Sequence, residues 1–155
     1  MNKIHRLTAV FAILLAFVFS AYSQQTIKRT TYKSDSFEFS SGGTVVVTGA
    51  PLGSVRVEGW NKNQIQIDAE IELNARSETE LDQLAKVTTF ILEETLGRAS
   101  ITTVGTHDKG VVKRLGKKFP KDLLGLPFRI DYIVRVPRYS DLTIDGGKGD
   151  LQLPQ

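Results

Sequence analysis

Ten consecutive residues, Gln64 to Leu73, alternate polar and apolar without a break. Ile65, Ile67, Ala69, Ile71 and Leu73 fall on one side, and Gln64, Gln66, Asp68, Glu70 and Glu72 on the other. A helix would scatter both sets around its circumference, whereas a strand sorts them onto two faces. The same period recurs upstream: Val45 and Val47, then Val55 and Val57, each stand ten residues before their counterparts in the next strand, ending at Ile65 and Ile67. Ser41-Gly42-Gly43, Gly49-Ala50-Pro51 and the run Gly59 to Asn63 punctuate them. This beat of strand and short turn predicts an antiparallel meander or one face of a sandwich, with one side on a core and the other in water.

Before this beat, Phe37 and Phe39 alternate with Ser36, Glu38 and Ser40, and the polar residues 24–35 are expected to be a flexible lead-in. After it the period changes. Ser77-Glu78-Thr79-Glu80 has the form of a capping box, and Leu81, Leu84, Ala85, Thr88, Ile91 and Leu92 follow at helical spacing up to Gly97. One helix over 78–96 is predicted, lying across the sheet with Leu84 and Ile91 facing it. Ala99–Val104 reads as a strand, and 105–127 as a long irregular loop. Ile130, Tyr132, Val134 and Val136 give a further strand stopped by Pro137, with short strands at Leu142–Ile144 and Leu151–Leu153.

Lys3 and Arg6 precede an apolar stretch, Leu7 to Phe19, followed by Ser20-Ala21-Tyr22-Ser23. This is the layout of a signal peptide, residues 1–23, cut before Gln24. Its unbroken apolar part, Ala9 to Phe19, is short of the roughly 20 residues that span a bilayer as a helix. The formal charge of +3 over the whole chain falls to +1 once Lys3 and Arg6 leave, which removes the electrostatic case for nucleic acid. The absence of cysteine excludes disulfides and lipidation through cysteine, and fits an exported bacterial protein found in the periplasm, on the outer surface or outside the cell.

No chemistry assembles from the remaining residues. With His107 the sole histidine after the leader and no cysteine, a zinc site lacks ligands. His107 has no nucleophile-elbow context, so it reads as a solvated loop residue. Asp68, Glu70 and Glu72 share a strand face and could serve as a carboxylate group, or equally as a solvating face. The strongest candidate is the segment Lys109 to Lys121, which holds Lys109, Lys113, Arg114, Lys117, Lys118 and Lys121, no acid, and Phe119. A basic and aromatic loop of this length can hold an anionic surface, and a solvated connection is the plainer alternative. No catalytic residue, cofactor or metal is expected.

The strand motifs resemble a known family. Gly43-Thr-Val-Val-Val-Thr-Gly49 and Gly53-Ser-Val-Arg-Val-Glu-Gly59 are followed by Trp60-Asn61-Lys62-Asn63-Gln64-Ile65, a helix, and then Val136-Pro137-Arg138-Tyr139-Ser140-Asp141-Leu142. In this order, over about 36–155, they are similar to the bacterial DUF4097 adhesin group, exported proteins with β-helix repeats. The resemblance implies a non-enzymatic envelope or surface protein whose repeat is longer than the unit and a half present here, hence a truncated member. Asp145-Gly-Gly-Lys-Gly-Asp150 differs from a calcium-binding repeat in the place of its aspartate and has no second copy, so a plain turn is expected.

The expected architecture is therefore mainly β: an antiparallel sheet or sandwich over 36–139 covered by one α-helix, then the start of a β-helix-like strand repeat at 140–155. The expected role is adhesin-like, through an exposed β surface. An anionic envelope polymer, lipid headgroups or another cell-surface component would be the partner, and the C-terminal strand edge would be open to self-association. The alternative is a periplasmic ligand-binding accessory or enzyme using 105–127 as a lid.

Overall fold

The computed structural model describes residues 26–49, 52–114, 119–147 and 149–153, so the predicted leader and its cleavage point lie outside the described residues. The elements in chain order are β1 (Ile27–Glu38), β2 (Thr44–Thr48), β3 (Ser54–Trp60), β4 (Gln64–Ala75), α1 (Glu78–Val87), β5 (Thr89–Thr95) and β6 (Arg98–Val104). They continue with α2 (Lys109–Arg114), a 3-10 turn (Lys121–Leu123), β7 (Arg129–Pro137), β8 (Asp141–Asp145) and β9 (Asp150–Gln152). The strands form two mixed sheets. Sheet A has the order β1-β4-β7-β3-β9 and sheet B the order β5-β6-β2-β8.

The alternation from Gln64 to Leu73 builds the core between them. Ile65, Ile67, Ile71 and Leu73 of β4, Ile130 and Val134 of β7, and Val55 and Val57 of β3 are buried from sheet A. Val45 and Val47 of β2, Ile101 of β6 and Phe90 of β5 are buried from sheet B. Each such aliphatic side chain contributes about 1.5–3 kcal/mol by leaving water. Tyr132 joins the two sheets: its ring meets Phe90 edge-on at 6.0 Å, and its hydroxyl and that of Thr103 lie 2.7 Å apart.

The evenly spaced strands do not form a meander. β2 belongs to sheet B, whereas β3 and β4 belong to sheet A and are separated there by β7. β2 lies parallel to both β6 and β8, and β3 parallel to both β7 and β9. Among the described residues, antiparallel pairing is confined to β1–β4, β4–β7 and β5–β6. One of the two equal steps, β2 to β3, passes from sheet B to sheet A, and the other, β3 to β4, skips over β7 within sheet A; in sequence both look the same as a hairpin turn.

Residues expected as a lead-in are largely strand: β1 pairs with β4 along its whole length, from Ile27 opposite Ala75 to Glu38 opposite Gln64. Its core-side face is apolar only towards the ends, at Ile27 and Phe37; between them stand Arg29, Thr31, Lys33 and Asp35. Arg29 pairs with Glu78 and Asp82 of α1, and Lys33 donates to Thr89 Oγ1 at 2.9 Å while lying over the Phe90 ring. The strand thus closes the side of the sandwich through charge rather than through alternation.

The helix is half the predicted length. Its start is as expected: Ser77 Oγ accepts from the Glu80 amide at 3.2 Å, and the Glu80 carboxylate accepts from the Arg76 amide at 2.9 Å. Leu81, Leu84 and Val87 are buried. At Thr88 the backbone turns extended, and Thr89–Thr95 becomes β5. The run Thr88-Thr89-Phe90-Ile91 is β-branched and aromatic, so pairing with β6 wins over further helix. Ile91 consequently stands opposite Thr102, partly exposed, instead of facing the core. Gly97 does take up positive φ, at 79°, but beside Leu96 at 41° in the β5–β6 hairpin, where a two-residue turn of this kind needs both.

Candidate functional site

Two surfaces carry the residues singled out by sequence. The first is the basic segment. Far from being one structureless loop, 105–127 contains α2 and the 3-10 turn. Asp108 opens α2 by accepting from the amides of Gly110 and Val111 at 2.8 and 3.0 Å. Lys109, Lys113 and Arg114 are exposed on α2 and Lys121 on the 3-10 turn; Lys117 and Lys118 lie outside the described residues. Phe119 is only 8% exposed and joins the core with Leu123 and Phe128. The aromatic half of the basic-aromatic patch therefore faces inward, because Phe119 anchors the segment to the sandwich. The stretch is also bracketed by acids: Asp108 on one side, and on the other Asp122, which pairs with Arg76 at 3.2 Å. His107 is exposed, its ring tilted over Phe128 at 6.4 Å.

The second surface is the outer face of sheet A. Here the outward positions of four strands, mostly polar, lie in register. Ser34, Asp68, Ile133 and Arg56 form one row, and Tyr32, Glu70, Asp131 and Ser54 the next, with Gln152 of β9 beside Arg56. These residues line a groove of about 580 Å³. The sequence grouping of Asp68, Glu70 and Glu72 holds, since all three are on this face, but two of them have dedicated partners. Arg135 bridges Asp68 at 2.6 Å and Glu58 at 3.0 Å, and Lys28 pairs with Glu72 at 2.6 Å.

These contacts set the charge states. The Ser34 hydroxyl, 2.6 Å from Asp68, holds that carboxyl below the usual carboxylate range, with Arg135 adding to it. Arg129, and then the hydroxyl and amide of Ser54, lower Asp131 in the same way. Lys28 does so for Glu72. Glu70 has no hydrogen bond or ion pair among the described residues, yet it stands directly opposite Asp131 across the β4–β7 ladder. Like charges so placed cost stability. Tyr32 is 78% exposed at one side of the groove, and Arg56 reaches solvent at the other.

Of these residues, Asp68, Glu70 and Glu72 stand out in the sequence, whereas Tyr32, Arg56, Asp131 and Arg135 do not. The signal for three of them was present: Arg56, Asp131 and Arg135 are the polar partners of confidently alternating strands. Tyr32 was hidden by reading 24–35 as irregular. No group of three or more side chains able to hold a metal forms among the described residues. No family model matches the chain, and neither the curated proteins nor the solved structures give a match.

Proposed function

We propose that the chain is a non-enzymatic, exported, adhesin-like protein of the cell envelope that binds through the outer face of sheet A. The observation that carries this reading is the pinned polar ladder under an open groove. Asp68, Asp131 and Arg135 are tied to their neighbours, which makes a rigid floor, while Tyr32 and Glu70 remain available to a ligand and Arg56 is held only by a long ion pair with Glu58, at 3.8 Å. An aromatic face with planar hydrogen-bonding groups set around it suits a polyhydroxylated envelope polymer, whose hydroxyls both donate and accept.

The β-helix-like part of the reading has its own support. The segments β6 to β7, β2 to β3 and β8 to β9 each pass from sheet B to sheet A, and in both sheets the second of these pairs lies parallel between the other two. At the corner, a Cβ on Gly149 would fall 1.5 Å from the Gly53 carbonyl oxygen, and one on Gly53 would fall 2.1 Å from that of Ile130. Glycine at equivalent corners is what such close stacking requires. The lid alternative gains nothing here, because Phe119, Leu123 and Phe128 fasten the 105–127 segment into the core.

Titration of the protein from Gln24 onward with purified envelope polysaccharide tests the proposal. Tyr32→Ala and Arg56→Ala should each weaken binding about tenfold, the loss of a contact worth ~1.4 kcal/mol. Polymer cleavage, or binding lost only when Lys109, Lys113 and Arg114 are changed to serine, would contradict it.

A further inference from the structure

The groove on sheet A holds an apolar side chain where its neighbours are polar. Ile133 of β7 stands outward between Asp68 on β4 and Arg56 on β3, and it lines the groove. It is half-buried and lies outside the core between the sheets. A lone isoleucine on a polar face is ordinary by itself. The charges around this one are not, because they are not all neutralised alike.

Asp68 is paired with Arg135 at 2.6 Å and Asp131 with Arg129 at 2.7 Å. Lys33 lines the groove but turns its ammonium to Thr89 Oγ1 and the Phe90 carbonyl, at 2.9 and 3.3 Å. Two charges of opposite sign remain. Glu70 has no hydrogen bond or ion pair among the described residues and faces the like charge of Asp131 across the ladder. Arg56 has only the 3.8 Å pair with Glu58, whose other carboxylate oxygen is taken by Arg135 at 3.0 Å. Asp150, at the end of Glu70's row beyond Ser54, does not line the groove.

We infer that the groove takes a short peptide bearing a free ammonium and a free carboxylate, the ammonium at Glu70, the carboxylate at Arg56 and the apolar stem over Ile133. This ligand class narrows the envelope-polymer reading, on which it rests, to polymers whose saccharide chain carries peptides. Glu70 and Arg56 lie two strand spacings apart and one side-chain repeat along, about 12 Å between backbones. Three extended residues span about 10 Å, a length that the two long side chains can meet from either side. Tyr32 stands opposite Glu70 on β1, and an aromatic face beside a carboxylate suits an ammonium group. A guanidinium takes a carboxylate through two parallel hydrogen bonds. An anionic chain would meet Glu70, a cationic one Arg56, and an uncharged saccharide would leave both charges unpaired.

Amide-shift titration of the protein from Gln24 onward with trialanine, N-acetyl-trialanine and trialanine amide is the test, run beside an envelope saccharide stripped of peptide. Trialanine should move the signals of Arg56, Glu70 and Ile133, and blocking either of its ends should weaken binding about tenfold. Glu70→Gln should no longer distinguish trialanine from its N-acetyl form, and Arg56→Gln should no longer distinguish it from the amide. Glu70→Gln should also melt no lower than the unaltered protein, because the like charge opposite Asp131 is gone. A merely structural role for Glu70 would lower the melting temperature instead. No peptide binding, equal binding of all three peptides, or a Glu70→Gln protein that loses stability along with binding would overturn the inference. Saccharide binding in any of those cases would leave the sheet A proposal standing, and its absence would remove both.

Discussion

Tyr132 shows how one side chain reports on the whole sandwich. Its phenol is buried between the sheets, and burial pushes its pKa up to about 12 even though the hydrogen bond with Thr103 acts the other way. In the unfolded chain a tyrosine titrates near 10. Between these values the unfolded chain has lost a proton that the folded one keeps, so stability is complete below about pH 10 and falls as pH rises toward 12. A two-unit gap corresponds to about 2–3 kcal/mol. Denaturant melts across this range should show that decline, and Tyr132→Phe should flatten it. Asp68 and Asp131 have the opposite sign: their lowered values stabilise the fold above the unfolded carboxylate range near pH 4, and that contribution fades as pH falls below it. Neither effect could be read from sequence, where Tyr132 is only one of four apolar positions in a strand.

At the scale of elements, what was legible depended on whether burial alone set the pattern. β4 and β7 were read correctly because each buries one whole face against a core, and α1 began where its cap said it should. Most of β1 was missed because its inner face meets α1 and β5 through Arg29 and Lys33, so apolar alternation marks only its end at Phe37. The end of α1 was missed because Phe90, Ile91 and Leu92 fit a helical stripe as well as a strand, and the strand-favouring Thr88-Thr89 step was outvoted. A mutational series separates these readings. Leu84→Ala should cost about 2–5 kcal/mol as a buried aliphatic truncation, and Ser77→Ala about 1 kcal/mol through the lost cap. Ile91→Ala should cost well under the Leu84 value, because Ile91 sits half-exposed on the outer side of sheet B. Equal costs for Leu84 and Ile91 in denaturant melts would restore the longer helix.

For the whole molecule, the polar positions of β1, β4, β7 and β3 come together only because the strands pair out of sequence order. The segment from Val45 to Ile67 specifies strand spacing but not partners, and it was β7, arriving from more than sixty residues downstream of β4's start, that separated β3 from β4. The candidate groove is therefore a property of topology. Its polar residues were visible one strand at a time, and their convergence was not. The basic segment illustrates the reverse case: its charges are on the surface as expected, but its aromatic residue serves the core. The most direct test of the central claim is amide chemical-shift mapping of the isotopically labelled protein during titration with envelope polysaccharide. The account expects shifts clustered at Tyr32, Ser34, Arg56, Asp68, Glu70 and Gln152, with saturation and no change in the polymer. Shifts confined to Lys109–Lys121, or a polymer shortened during the titration, would contradict it.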